Sequence, residues 1–215
     1  YIGCKNLASL FLNKKIKKFV QVGSSIEYGK SRSPQVENKK NSQSTFSVYG
    51  KAKLLSTKYL MAKYKKEKFP ATVIRLYLVY GPKQDINRVI PITIKNALLD
   101  KKFNCSTGLQ FRDFIYIDDV INAILKTLKN RKTNGEIINI GSNKPVRIKD
   151  LIIRICSLVG SGKPIFGKIK LRKDEIKSLY PNINKAHKIL KWGPKISLNT
   201  GLKRTIKYYK NAKFN

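Results

Sequence analysis

Three apolar runs interrupt an otherwise lysine-rich chain: FVQV at 19–22, ATVIRLYLVY at 71–80 and EIINI at 136–140. Each is short, and glycine or serine follows soon after it, which is how a strand buried on both faces reads. Between them lie longer stretches of helical periodicity. Parallel strands need a crossover, usually a helix, so this alternation argues an α/β fold around a parallel sheet. The first helix is expected over 3–14, ahead of a strand that stops at Gly23 and two serines. A polar loop then runs to about residue 45. The helix over 45–68 can place Val48, Ala52, Leu55, Tyr59 and Ala62 on one face. RVIPITIKNALL reads as a helix and FNCSTG as a short strand. FIYIDDVINAILKTLKN passes from strand into a helix whose start Asp118 or Asp119 can cap. RIKDLIIRICSLVG is an amphipathic helix, PIFGKIK a strand, and two helices close the chain at about 182–191 and 198–211.

Composition narrows the function classes. With 215 residues, 41% of them hydrophobic, the chain can build one sizeable core or two small interleaved domains. No apolar run approaches the ~18 residues that cross a membrane. Three dispersed cysteines (Cys4, Cys105 and Cys156) fit a reduced, cytoplasmic chain and have no metal-binding spacing. The single histidine, His187, lies in a charged helical pattern, which argues against histidine-based triads and zinc sites. Acid–base chemistry would therefore fall to Tyr, Lys, Ser or carboxylates. The formal charge of +34 invites a nucleic-acid reading, but the basic residues are spread over the whole length and lysine predominates over arginine. Affinity for an anionic small substrate explains the charge as well.

Tyr-x-x-x-Lys occurs five times, from Tyr1, Tyr49, Tyr59, Tyr64 and Tyr209. Tyr49 differs from the others because it starts a long helix after a loop that follows a serine-tipped buried strand. Open parallel sheets bind ligands beyond the carboxyl ends of their strands, where Ser24 is expected. Tyr49 and Lys53 are one helical turn apart and share a face. A free phenol, with a pKa of about 10, is a poor base at neutral pH. A neighbouring ammonium and a helix N-terminus both favour a phenolate. A serine hydroxyl can steady the same substrate oxygen.

Several ordered segments carry a more specific signal. FVQVGSSIEYG, VIRLYLVYGPKQ, GLQFRDFIYIDDVINAI, EIINIGS and NINKAHKILKWGPKISLNTGL occur in that order over nearly the whole chain. Together they resemble the extended short-chain dehydrogenases/reductases, specifically the NAD-dependent epimerases and dehydratases of nucleotide sugars. The resemblance implies a Rossmann-like parallel sheet with a smaller α+β substrate-binding domain. Residues 1–80, with 112–143 returning, would form the dinucleotide-binding part, and 81–111 with 144–215 the substrate part. It also implies NAD or NADP as cofactor, a nucleotide-diphosphate sugar as substrate, and a homodimer formed through the 3–14 helix and the Tyr49 helix. Ser24, Tyr49 and Lys53 take the catalytic positions and, with Tyr77, the cofactor-binding ones. Ser25, Arg88, Val89, Arg112, Arg172 and Glu175 take the substrate-binding positions, Arg112 facing the diphosphate.

Three departures qualify the resemblance. The family's Gly-x-x-Gly-x-x-Gly turn does not occur, so the chain corresponds to the C-terminal two-thirds of such an enzyme and is expected to be inactive alone. Family members that eliminate water carry Asp and Glu directly after the catalytic Ser/Thr, where this chain has Ser25 and Ile26. Glu27 falls one step late, which counts against a 4,6-dehydratase. Leu78 stands where the family has an asparagine. The favoured expectation is hydride transfer at the sugar C4, by an epimerase or a 4-ketoreductase. The alternatives are a non-catalytic or RNA-binding relative on the same scaffold, and an oxidoreductase acting on a different alcohol.

Overall fold

A computed structural model describes residues 1–37, 47–171 and 175–212. Helix α1 (Ile2–Leu12) leads into strand β1 (Phe19–Ser24), a single 3₁₀ turn (Ser25–Tyr28) and the long helix α2 (Val48–Glu67). Strands β2 (Ala71–Leu76) and β3 (Leu78–Tyr80) follow, then α3 (Val89–Leu98), β4 (Lys102–Asn104), β5 (Phe111–Arg112) and β6 (Phe114–Tyr116). Helix α4 (Ile117–Lys129) precedes β7 (Ile137–Ile140), β8 (Val146–Arg147) and α5 (Ile148–Val159). The chain closes with β9 (Lys163–Ile165), β10 (Ser178–Leu179), α6 (Asn184–Leu190) and α7 (Leu198–Asn211).

The three apolar runs form the expected parallel sheet, in the order β1-β2-β7, with Val22 opposite Ile74 and Ile74 opposite Ile138. Strand β2 lies in the middle, and its first five residues are all buried because helices cover both faces. Ala71 and Val73 point to one face and pack with Ala8 and Leu60 from α1 and α2. Ile74 points to the other and packs with Val120 and Ala123 of α4 and Trp192 of the tail. A third apolar cluster gathers α3, α5 and α7 around Ile90, Ile94, Leu151, Ile155 and Leu202. Shorter strand pairs, β3 with β6 and β4 with β9, are also parallel, and β5 lies between β10 and β8.

Two local expectations are corrected. On α2, the face drawn through Val48, Leu55 and Ala62 is exposed, and the residues turned inward are Gly50, Leu54, Ser56, Thr57 and Leu60. Apolar residues and lysines are mixed around this helix, so periodicity alone does not pick its buried side. The inward face is partly polar because it lies over buried polar groups of the sheet. On α4, neither aspartate caps the start: Tyr116 holds the cap position without a side-chain bond. Asp119 instead accepts the N–H groups of Lys195 and Ile196, each at 3.0 Å, and its carbonyl accepts the Trp192 indole N–H at 3.1 Å. The segment between α6 and α7 is thereby tied to α4. Asp118 is exposed and pairs with Arg204.

The inward face of α2 is testable by truncation. Leu60→Ala is expected to cost about 2–5 kcal/mol through the cavity it leaves. Lys58→Ala, at an exposed position of the same helix, should stay within about 0.5 kcal/mol. Urea midpoints of the two variants make the comparison.

Candidate active site

The sheet ends in a turn built by its own sequence. Ser24 caps the 3₁₀ turn by accepting the Ile26 N–H at 3.4 Å, and its own N–H donates to Glu27 Oε1 at 2.8 Å. This reciprocal arrangement is a capping box, and its Ser-x-x-Glu spacing is visible in the sequence. Ser24 is half-buried at the strand tip, and Ser25 is buried. Tyr28, next in the turn, is fully buried and donates to Asn139 Oδ1 at 2.8 Å.

Helix α2 starts beside this turn, with Ser47 capping it by accepting the Gly50 N–H at 3.0 Å. Tyr49, in its first turn, is 58% exposed. Lys53 Nζ lies 5.7 Å from the Tyr49 ring centroid and donates to the Val22 carbonyl of β1 at 2.8 Å. Tyr49 and Lys53 line an open cleft of about 350 Å³ with Gln21, Ser56 and Cys4. The geometry thus brings Tyr49 and Lys53 together against β1, while the Ser24 hydroxyl is engaged within its own turn.

Similar ring contacts occur at Tyr59 with Lys63 and at Tyr64 with Lys68, 5.8 and 5.6 Å from the ring centroids. Proximity alone therefore does not distinguish Tyr49. Lys63 is instead paired with Glu67 at 2.7 Å on the same helix. Lys53 is the ammonium that reaches a strand carbonyl two residues before Ser24.

The remaining candidates fall into separate groups. Arg112 is buried, forms an ion pair with Glu175 and donates to the Phe111 carbonyl at 2.8 Å. Burial pulls its guanidinium below the ordinary arginine value, against the opposing effect of Glu175. Arg88 holds the cap position of α3, exposed and without a side-chain capping bond, and Val89 begins that helix half-buried. Tyr77 is buried just after β2, with its hydroxyl donating to Gln35 Oε1 at 2.8 Å. Arg172 lies outside the described residues.

Sequence reasoning missed a buried polar layer beneath these groups. Glu27 Oε2 accepts from Arg75 Nε at 2.9 Å and from the Thr57 hydroxyl at 2.7 Å. The Arg75 guanidinium lies 4.3 Å from the Tyr28 ring centroid. Asn139 donates to the Gln35 carbonyl at 2.9 Å. Asp113, also fully buried, accepts the Ser142 N–H at 2.7 Å and its hydroxyl at 2.9 Å. Burial pushes the Asp113 carboxyl up, while those bonds oppose the shift.

Residues 1–141 match the model of the NAD dependent epimerase/dehydratase family. A dTDP-D-glucose 4,6-dehydratase of Bos taurus is 31% identical, with 97% of this chain aligned to 60% of that protein. A UDP-glucuronate 4-epimerase of Thermodesulfobacterium geofontis is 32% identical, with 97% of this chain aligned to 64% of it. Among solved structures, a UDP-glucuronic acid 4-epimerase of Bacillus cereus, in complex with UDP-glucuronic acid and NAD, superposes with a TM-score of 0.89. The two are 30% identical, and the match covers 97% of this chain and 66% of that one. The chain thus spans a little under two-thirds of the length of these curated relatives.

The buried layer has an alkaline signature. Burial pushes the Tyr28 phenol up to about 12, against the lowering effect of Arg75. An unfolded tyrosine ionises near pH ~10. A proton held more tightly in the native state contributes fully below that value and is lost as pH climbs through the native pKa. Between about pH 10 and 12, wild-type stability is therefore expected to fall more steeply than that of Tyr28→Phe. Denaturation midpoints across that window measure the two slopes.

Proposed function

Because the chain belongs to the NAD dependent epimerase/dehydratase family, we propose that the whole protein modifies a nucleotide-diphosphate sugar by NAD(P)-dependent hydride transfer at the sugar C4, as an epimerase or 4-ketoreductase. The observation that carries this reading is the Lys53 ammonium, fixed on the Val22 carbonyl and set beside an open Tyr49 phenol. An ammonium has three donors, of which Val22 takes one, and the others suit the hydroxyls of a ribose. That donor set, with the phenol in the same cleft, fits the nicotinamide riboside part of the cofactor. When bound, the dinucleotide supplies the hydride acceptor and donor.

Tyr49 takes the proton from the sugar hydroxyl and returns it in the reverse step. Lys53 favours negative charge on the phenol oxygen during that transfer. Ser24, at the strand tip, holds the reacting oxygen once its hydroxyl turns from the Ile26 N–H. Arg112 is suited to a diphosphate, which a guanidinium can engage through two parallel bonds, and Glu175 holds it in place until then. Arg88 and Val89 at the start of α3, Ser25, and Arg172 complete the substrate side. Tyr77, with its hydroxyl engaged by Gln35 and its N–H by the Ile140 carbonyl, has its backbone carbonyl to offer the cofactor. Both oxygens of Glu27 are occupied, which favours an epimerase or reductase over elimination of water. In this reading 1–80 with 112–143 bind the cofactor, and 81–111 with 144–215 bind the substrate.

A second copy of the chain is the proposed partner. Leu7 and Leu10 of α1 and Val48 and Leu55 of α2 are exposed apolar side chains on the helices that cover one face of the sheet. Burying such a surface favours a homodimer. Leu55→Glu is then expected to convert a dimer to a monomer in sedimentation.

The function is tested by assaying the whole protein against a panel of nucleotide sugars with NAD and with NADP. Tyr49→Phe should lower kcat by about 10²–10⁴-fold, the usual contribution of a positioned acid–base group. A variant as active as its parent excludes the mechanism.

A further inference from the structure

Glu27 is completely buried, and its two oxygens reach three different elements. Oε1 accepts the Ser24 N–H at the tip of β1 at 2.8 Å. Oε2 accepts the Thr57 hydroxyl of α2 at 2.7 Å and Arg75 Nε of β2 at 2.9 Å. Thr57 lies one helical turn beyond Lys53 and two beyond Tyr49, on the same helix. We infer that Glu27 is a positioning residue for the reaction proposed above, setting the separation between the strand tip that carries Ser24 and the helix that carries Tyr49 and Lys53. The inference rests on that reading of the site.

The groups facing Glu27 explain why the residue is a glutamate. An N–H, a hydroxyl and a guanidinium all donate, so the residue must accept at both ends. A glutamine of the same shape would turn its NH₂ against one of those donors. Arg75 cannot easily swing aside, because its guanidinium lies over the Tyr28 ring. The approach also requires Gly23: a Cβ there would lie 2.5 Å from Glu27 Oε1. Gly23 is itself the register partner of Arg75 across the two strands. With both oxygens occupied, Glu27 acts through Ser24 and α2 and does not exchange protons with the substrate.

Three variants of the whole protein test this. Glu27→Gln sets a donor against a donor, Gly23→Ala displaces the carboxylate while keeping its charge, and Thr57→Val removes only the helix arm. Misplacement by about 1 Å costs on the order of 100-fold in rate, so kcat per folded molecule should fall by about that factor in the first two. In Thr57→Val the fall should be about tenfold. KM for the nucleotide sugar should stay within about threefold, and the limbs of the pH–rate profile should not move. The Ser24 amide should also exchange with solvent about tenfold faster, or more, in Glu27→Gln.

A purely structural Glu27 would lower the unfolding midpoint and leave kcat of the folded fraction intact, and that result overturns the inference. If the first two variants do not fold, a wild-type kcat in Thr57→Val overturns it equally. Turnover lost in Tyr49→Phe but kept in Glu27→Gln leaves the function standing and removes Glu27 from it. If wild type turns over no nucleotide sugar, the functional reading fails on its own. Ser24 exchange then decides whether Glu27 holds the strand tip, and unchanged exchange overturns the inference.

Discussion

Burying Glu27 with Arg75 is the constraint on which the carboxyl end of the sheet depends. Removing two charges from water costs several kcal/mol per ion, so such a pair persists only where the remaining polar valences are met. Here they are met in sequence. Glu27 receives the Ser24 N–H and the Thr57 hydroxyl, and Arg75 lies against the Tyr28 ring. Tyr28 donates to Asn139, Asn139 to the Gln35 carbonyl, and Tyr77 to the Gln35 side chain. Apart from Thr57 of α2, these residues come from the last positions of β1, β2 and β7 and the segments after them. The carboxyl edge of the parallel sheet, where open α/β sheets take ligands, is therefore underlain by one connected polar layer.

The legibility of the fold followed the range of the interactions. Strands β2 and β7 were readable because both their faces are covered, so every position had to be apolar or paired. Helices α5 and α7 were readable because one side of each meets a core and the other meets water. Helix α2 was readable as a helix but not in orientation, since the residues it turns inward include Thr57, Ser56 and Gly50. Within the candidate site, Ser24, Tyr49 and Lys53 stood out through local spacing, and Glu27 left a local trace in its capping box. The Glu27–Arg75 and Arg112–Glu175 pairs join residues 48 and 63 positions apart, and nothing in the adjoining sequence marks such partners.

A chain with 46 basic and 12 acidic residues makes its buried carboxylates informative. Glu27, Asp113 and Asp119 are the buried acids among the described residues. Asp113 and Asp119 each accept backbone N–H groups from a segment that belongs to no regular element, and Glu27 accepts the N–H of Ser24, the last residue of β1. Glu27 organises the turn after β1, Asp113 the segment after β7 through Ser142 and Lys144, and Asp119 the segment before α7 through Lys195 and Ile196. Lysine cannot accept a hydrogen bond, so the abundant cations could not replace them. The positive surface and the acidic anchors thus answer different demands, one of solvation and one of backbone valence.

The same separation distinguishes the tyrosine to which the proposed mechanism gives the proton. Burial holds Tyr28 in its neutral form, with its phenol pushed up to about 12, and burial raises Tyr77 as well. Neither hydroxyl is free, because each is committed to the polar layer. A phenol that works on a substrate needs the opposite surroundings: an open hydroxyl, a neighbouring cation and a rigid base. Tyr49 has the first through its exposure and the second through Lys53. The third comes from beneath, where Lys53 is fixed on β1 and Thr57 on Glu27. In the proposed mechanism, rigidity is thus supplied by the buried layer, and proton transfer is left to the one of these phenols that the layer does not use.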